Sequence, residues 1–273
     1  MGKFSGMLIC TDLDGTLYRN DKTISQQNKQ AIEYFKREGG YFTFITGRMP
    51  SYSVDAWHAV EPNAPYGCIN GGGLYDGQAD RYVWTRELSD RVFDLIDCAL
   101  QHFPTIGVQI CTFDRTYFSN DNDATQRFRD RTGVPHLIRP YRQVSEPLAK
   151  VLLVSNREDE LCAVADLLEK HPHAKDFDFI RSEKTLFEIL PCGVNKGLVL
   201  ERLADFLKVD MARTVAIGDY DNDTAMIKAA GIGVAVANAL PKVRQCARYV
   251  TVSNEEHAIA KVIEDLENGT YSF

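Results

Sequence analysis

No stretch of this 273-residue chain is apolar for long enough to span a bilayer, and the opening Met1-Gly2-Lys3-Phe4 does not lead into a signal peptide. Cysteine is present but not organised. Its seven residues are odd in number, scattered, and contain no Cys-x-x-Cys pair, so neither a disulfide framework nor a zinc site is expected. Cys10 and Cys111 sit in apolar runs, where cysteine behaves as a small hydrophobe. Positive charge is also short. The 31 Lys and Arg against 38 Asp and Glu leave a net charge of −7, which disfavours nonspecific contact with nucleic acid or an anionic membrane. Internal repeats and low-complexity segments are missing. With 44% hydrophobic and 25% charged residues, the expectation is a soluble, cytoplasmic globular protein of one large or two modest domains.

What the chain does have is three short apolar runs, far apart, each ending in reactive polar residues. Leu8-Ile9-Cys10-Thr11 leads into Asp12-Leu13-Asp14-Gly15-Thr16. Tyr41 to Ile45 leads into Thr46-Gly47-Arg48. Thr214-Val215-Ala216-Ile217 leads into Gly218-Asp219-Tyr220-Asp221-Asn222-Asp223. Such runs suit buried strands of a parallel sheet, and ligands of open α/β sheets bind beyond the carboxyl ends of the strands. The three endings are therefore expected to converge on one carboxylate- and hydroxyl-rich site. Like charges so gathered repel, and persist only if a cation or a shared proton compensates.

Between these runs the pattern changes. Strand–helix alternation covers the start, with Ser25 as an N-cap, Ala31, Ile32 and Phe35 on one helix face, and Gly39-Gly40 as the stop. Residues 64 to 75 read as one short strand ending in Asn70-Gly71-Gly72-Gly73. The middle shows strand-like pieces near 105–113, 150–155, 177–182 and 185–190, with helices near 89–102, 123–132 and 158–171. A hairpin around Arg181 to Thr185 points to antiparallel α+β structure. This region is too long and too structured for a loop. The predicted division is therefore a parallel core of residues 1–80 and 191–273, with an inserted α+β domain of 81–190. Ser253 to Glu256 reads as a capping box for the final helix.

The joint pattern resembles the haloacid dehalogenase superfamily of phosphotransferases and, within it, the Cof-type phosphatases. Asp12-Leu13-Asp14-Gly15-Thr16, Thr46-Gly47-Arg48, Asn195-Lys196-Gly197 and Gly218-Asp219-Tyr220-Asp221-Asn222-Asp223 match that family's four motifs in order. The resemblance implies a Rossmann-like α/β core and places an inserted α+β cap domain at 81–190, a cap that closes over the site and selects the leaving group. It makes Asp12 a nucleophile that forms an aspartyl-phosphate, and Asp14 a general acid and base, a task that calls for a raised pKa. Mg²⁺ is implied as cofactor, a hard cation suited to oxygen ligands. Its ligands would be Asp12, Asp219 and the backbone carbonyl of Asp14, with Asp223 behind them. An acidic protein handling an anionic ester needs such a local cation.

Other positions have a plain reading beside the functional one. Thr46 and Gly47 at a strand-to-helix turn suit phosphoryl oxygens, although a threonine N-cap is common. Arg48 either contacts substrate or makes a salt bridge. Lys196 opens a helix, where a cation opposes the helix dipole, and a bound phosphate supplies the reason for it. Asn70 and Gly71 resemble a substrate-adjacent loop of the family, and a tight turn explains them equally well. Asn222 is expected on the phosphate and Asp221 in solvent. The acidic run is not a calcium loop of the EF-hand type, because its sixth position is Thr224 and its twelfth Ala230. The six histidines carry no signal. A nucleotide-binding dehydrogenase is excluded, since the first strand leads to Asp-x-Asp-Gly rather than G-x-G-x-x-G.

The expected activity is hydrolysis of a small phosphorylated metabolite. A sugar phosphate stands ahead of flavin mononucleotide, pyridoxal phosphate and nucleotides. A phosphotransferase or mutase would carry the same four motifs. A non-catalytic regulator should have lost one of Asp12, Asp14, Lys196 or Asp219, and all four are present. Tyr117, Arg181 and Lys184 are candidates for reading the substrate, and either monomer or homodimer is compatible with the sequence.

Overall fold

The computed structural model of the chain describes residues 2–133 and 135–271. Residue 1 of the expected first core segment and residues 272 and 273 of the last lie outside them. Contacts divide the chain into two compact units. One comprises the residues up to Thr85 together with those from Asn195 onward, and the other is Arg86–Val194.

The first unit is built on five parallel strands in the order Tyr249–Val250, Ile232–Ala235, Thr214–Gly218, Leu8–Thr11 and Tyr41–Phe44. All four residues of Leu8–Thr11 and all five of Thr214–Gly218 are buried, so both sheet faces are covered and the strands read as continuous apolar runs. On one face Leu8, Cys10 and Ala216 pack against Val199, Leu200 and Leu203 of the Lys196–Leu207 helix. The Gln26–Arg37 helix is capped by Ser25, whose hydroxyl accepts from the Asn28 N–H at 3.2 Å, and it buries Ile32 and Phe35. Thr11 pairs with both Phe44 and Ile217. The residues that follow these three strands therefore leave the sheet at the same edge.

Residues 64–75 differ from the single strand expected. Tyr66–Cys68 and Gly73–Asp76 are two strands joined by a tight turn, and with Arg81–Thr85 they form a three-stranded antiparallel sheet. Left-handed backbone at Ile69, Asn70 and Gly71 breaks the run, a feature that apolar patterning does not show. This third strand keeps Arg81–Thr85 in the first unit, so the units divide after Thr85 and after Val194 rather than at the expected 80 and 190. The box at Ser253 and Glu256 forms, but it caps the short turn Asn254–Glu256. The final helix, Ala258–Glu267, starts afresh after left-handed His257.

The second unit carries a six-stranded sheet in the order Phe177–Glu183, Leu186–Pro191, Leu148–Val154, Gly107–Thr112, Thr116–Phe118 and Leu137–Ile138. Its pairings are antiparallel except the last. Helices Val92–His102 and Glu158–Leu168 share one apolar core with Val108, Ile110, Val151, Leu153, Phe187 and Ile189. The alternate residues Gln109, Cys111, Lys150 and Glu188 are buried too. There the Lys150 ammonium donates to the Glu188 carboxylate at 2.7 Å. Thr116–Phe118 and Leu137–Ile138 are too short to have shown a period in the sequence. No helix among the described residues is long and apolar enough to cross a membrane.

Candidate active site

Asp12 follows the first strand, and its backbone N–H still donates to Ile217 O at 2.9 Å. The chain then turns tightly through Leu13–Leu17, with Gly15 at φ +82°. A Cβ at position 15 would fall 2.5 Å from an Asp219 carboxylate oxygen, so this glycine is what lets the first and fourth motifs approach. The Thr16 hydroxyl closes that approach by donating to Asp219 Oδ1 at 2.8 Å.

Lys196 starts its helix behind the cap Asn195, whose side chain accepts from the Leu198 N–H at 3.0 Å. Its side chain is wholly buried, which removes the reading of a solvated lysine. The ammonium donates to Asp12 Oδ1 and to Asp223 Oδ1, each at 2.5 Å. The other Asp223 oxygen accepts from the Asp219 and Tyr220 N–H groups at 2.8 and 3.0 Å. Asp223 thus accepts three hydrogen bonds and holds Lys196 and the turn after the third strand together.

Carboxylate oxygens of Asp12, Asp219 and Asp223 all lie within 4.8 Å of one another, a group able to hold a metal ion. Asp12 Oδ2 and Asp219 Oδ2 accept no hydrogen bond among the described residues, while both Asp223 oxygens do. The donor set that fits a hard cation is therefore Asp12 with Asp219. The electrostatics show the same need. Burial pushes the Asp12 carboxyl well above its usual range; Lys196 opposes this, and the charges of Asp223 and Asp219 add to it. Burial and the neighbouring Asp223 push Asp219 up to about 6. Burial pulls Lys196 down, but Asp12 and Asp223 outweigh it, so the ammonium stays charged.

Asp14 departs from expectation. Its side chain is held by cations. Arg48 donates through Nε and Nη2 at 2.9 and 2.7 Å, and the Lys22 ammonium donates at 2.8 Å. Burial would raise the Asp14 carboxyl, but the Arg48 and Lys22 bonds prevail and hold it below the usual carboxylate value. The raised value expected from neighbouring carboxylates is thus reversed, because its closest neighbours are positive. Arg48 thus makes the salt bridge expected of it in one of its two readings. Arg48 also donates to Tyr52 O and lies over the Tyr18 ring.

Thr46 is buried at the end of the second strand, and its hydroxyl accepts from the Arg48 N–H at 3.2 Å. Gly47, Asn70 and Asn222 come together: Asn222 Nδ2 donates to Asn70 Oδ1 at 2.9 Å, and a Cβ at Gly47 would lie 2.8 Å from the same oxygen. Gly71 passes so close to Asn195 that a Cβ there would sit 2.1 Å from its carbonyl. Asp221 is exposed and paired with Lys242 at 2.6 Å. In the second unit, Tyr117 is buried in the helix-side core and its hydroxyl donates to Glu146, so it is spent on structure. Arg181 donates to Lys184 O, and Lys184 is exposed. Sequence reasoning passed over Thr16, Lys22 and Asn238, whose side-chain amide donates to Gly15 O at 2.8 Å. Thr16 stands inside the first motif. Lys22 lies in a polar loop and Asn238 in an apolar one, with no pattern to mark either.

A family model for haloacid dehalogenase-like hydrolases matches residues 9–263. A 5-amino-6-(5-phospho-D-ribitylamino)uracil phosphatase of Bacillus subtilis, YitU, is 30% identical over 262 residues, covering 94% of this chain and 96% of the relative. A second B. subtilis protein of the same name, YwtE, is 28% identical over 289 residues, covering 97% and 99%. Among solved structures, a haloacid dehalogenase-like hydrolase from Bacteroides thetaiotaomicron superposes with a TM-score of 0.83 at 26% identity, covering 95% of this chain and 99% of that one. The match runs through both units and all four motifs, and the chain belongs to the haloacid dehalogenase-like hydrolases.

Proposed function

We propose that the chain is a Mg²⁺-dependent phosphomonoester hydrolase acting on a small phosphorylated metabolite through a phosphoryl-Asp12 intermediate. The observation that carries this reading is the pairing of Asp12 with the buried Lys196. One Asp12 oxygen is fixed by the ammonium, and the other takes no hydrogen bond among the described residues, so the carboxylate keeps lone pairs for both a metal ion and phosphorus. In the first step an Asp12 carboxylate oxygen bonds to phosphorus, the ester P–O bond breaks, and Asp14 gives a proton to the departing alcohol. In the second, water bonds to phosphorus and passes a proton to Asp14 as the Asp12–phosphorus bond breaks. Lys196 neutralises charge on the transferring group, while Thr46, the Gly47 N–H and Asn222 hold its oxygens.

Asp12 and Asp219, with the backbone carbonyl of Asp14, would hold Mg²⁺, which supplies charge neutralisation at the phosphoryl oxygens. Arg48 and Lys22 favour the ionised form of Asp14, which suits its role toward water. Its acid role needs those cations drawn off, and an anionic ester competes for both. The two B. subtilis relatives are named for a substrate whose phosphate sits on a ribityl chain. That supports a phosphorylated sugar or sugar alcohol as substrate here.

The test is phosphate release from a panel of sugar phosphates, flavin mononucleotide, pyridoxal phosphate, nucleotides and 5-amino-6-(5-phospho-D-ribitylamino)uracil. Wild type and Asp12→Asn are compared, each with Mg²⁺ and with chelator. Release should require both the metal and Asp12, with phosphorylated sugars and sugar alcohols leading. Near-normal turnover by Asp12→Asn would overturn the mechanism.

A further inference from the structure

Ile69, Asn70 and Gly71 have φ of +57°, +53° and +104°. Glycine accepts this freely and asparagine tolerates it, but a β-branched isoleucine does not. Such backbone persists only where its surroundings over-determine it, and it gathers at functional sites. Here the surroundings are plain. Ile69 is wholly buried. The Ile69 and Asn70 N–H groups donate to Arg48 O and Thr46 O, both at 3.0 Å. Gly71 is pressed against the Asn195 carbonyl at the start of the Lys196 helix. The turn is wedged between the second motif and the third.

The wedge delivers one side chain. Asn70 is 1% exposed, and its amide oxygen accepts from Asn222 at 2.9 Å while lying against Gly47. A single buried amide thereby spans the two groups given above to the phosphoryl oxygens, Thr46–Gly47 and Asn222. An amide so enclosed is arranged to orient its neighbours rather than to meet a ligand.

We infer that Asn70 is a positioning residue: the left-handed turn at Ile69–Gly71 fixes its amide so that Asn222 and the Thr46–Gly47 turn hold one geometry toward the phosphoryl group. This rests on the hydrolase reading and replaces direct substrate contact by Asn70 with action through Asn222. The same logic applies to inorganic phosphate as ligand.

The experiment is a double-mutant cycle on kcat and KM with wild type, Asn70→Gly, Asn222→Ala and the double variant. Glycine keeps the left-handed backbone available and removes only the amide. Each single change should lower kcat by about 10- to 100-fold with KM changed less than about 3-fold, and the double variant should be no worse than Asn222→Ala alone. Asn70→Asp, which retains an acceptor for Asn222, should recover kcat while raising KM, because its charge repels an anionic ester. Multiplicative losses in the double variant, full activity in Asn70→Gly, or no recovery in Asn70→Asp would each overturn the inference. Calorimetric binding of inorganic phosphate with Mg²⁺ repeats the cycle without turnover. Coupled losses of phosphate affinity across the variants, beside a wild type that binds phosphate but hydrolyses nothing, would sink the hydrolase reading and keep this one. Folded wild type that neither hydrolyses esters nor binds phosphate would overturn both.

Discussion

A single ammonium group separates two buried carboxylates at the centre of this site. Lys196 is fully buried between Asp12 and Asp223, and removing one partner of a buried pair leaves charge without compensation. Lys196→Met should therefore cost about 3–5 kcal/mol of stability in the absence of Mg²⁺ and reduce turnover by about 10²- to 10³-fold. Urea unfolding and steady-state rates would check both, and an unchanged unfolding midpoint would show that the two carboxylates do not depend on the lysine. A second residue-level effect lies far from the site. Burial pushes the Tyr271 hydroxyl up to about 12, and its ring stacks on Tyr249 at 4.4 Å. The folded chain keeps this proton to about pH 12, whereas the unfolded chain releases it near 10. Its contribution is thus complete below pH 10 and is lost as pH rises from 10 toward 12, at about 1.4 kcal/mol per pH unit. Unfolding free energies at pH 9 and pH 11 should fall more steeply for wild type than for Tyr271→Phe, and equal slopes would refute the assignment.

Among the elements, the polar pair on the second unit's sheet is the least expected. Lys150 and Glu188 occupy the strand positions that alternate with the core face, where an antiparallel sheet commonly meets solvent, yet they are only 5% and 3% exposed. Either single change, Lys150→Met or Glu188→Leu, should destabilise by about 3–5 kcal/mol, whereas the double change should be near neutral or stabilising. Chemical unfolding of the three variants decides it, and additive losses would contradict the prediction. The pair also shows where sequence reading stops. The long elements were legible because Leu161, Ala165 and Leu168, or Ile32 and Phe35, repeat at helical spacing. The strands at Thr116–Phe118 and Leu137–Ile138 were not, and neither was the break at Ile69–Gly71, because conformation there is set by packing rather than by local pattern. At the site, Asp12, Lys196, Asp219 and Asp223 were readable as carboxylates and a cation at element ends. The Asp14 side chain was misjudged because nothing in the sequence announces that Lys22 and Arg48 reach it.

Taken as a whole, the molecule assembles its chemistry from distant parts of the chain. Lys196 and Asp12 are 184 residues apart and Thr16 and Asp219 are 203, yet each pair is in direct contact. The Leu8–Thr11 strand, an inner one, has Thr214–Gly218 on one side, so one of its two edges waits for chain made much later. During synthesis the first strands emerge early and stay half-paired, with an open ladder edge, until the last third of the chain follows. Arg86–Val194, whose sheet pairs only within itself, has no such wait. Contacts of such long range form slowly, since closure of the intervening chain precedes any reward from pairing. Both tryptophans, Trp57 and Trp84, lie in the first unit, so their fluorescence follows the late-closing part alone. The Asp12–Lys196 pair thus cannot exist until residue 196 has been made, and a copy that stops short of it has no buried ammonium to set against the first carboxylate.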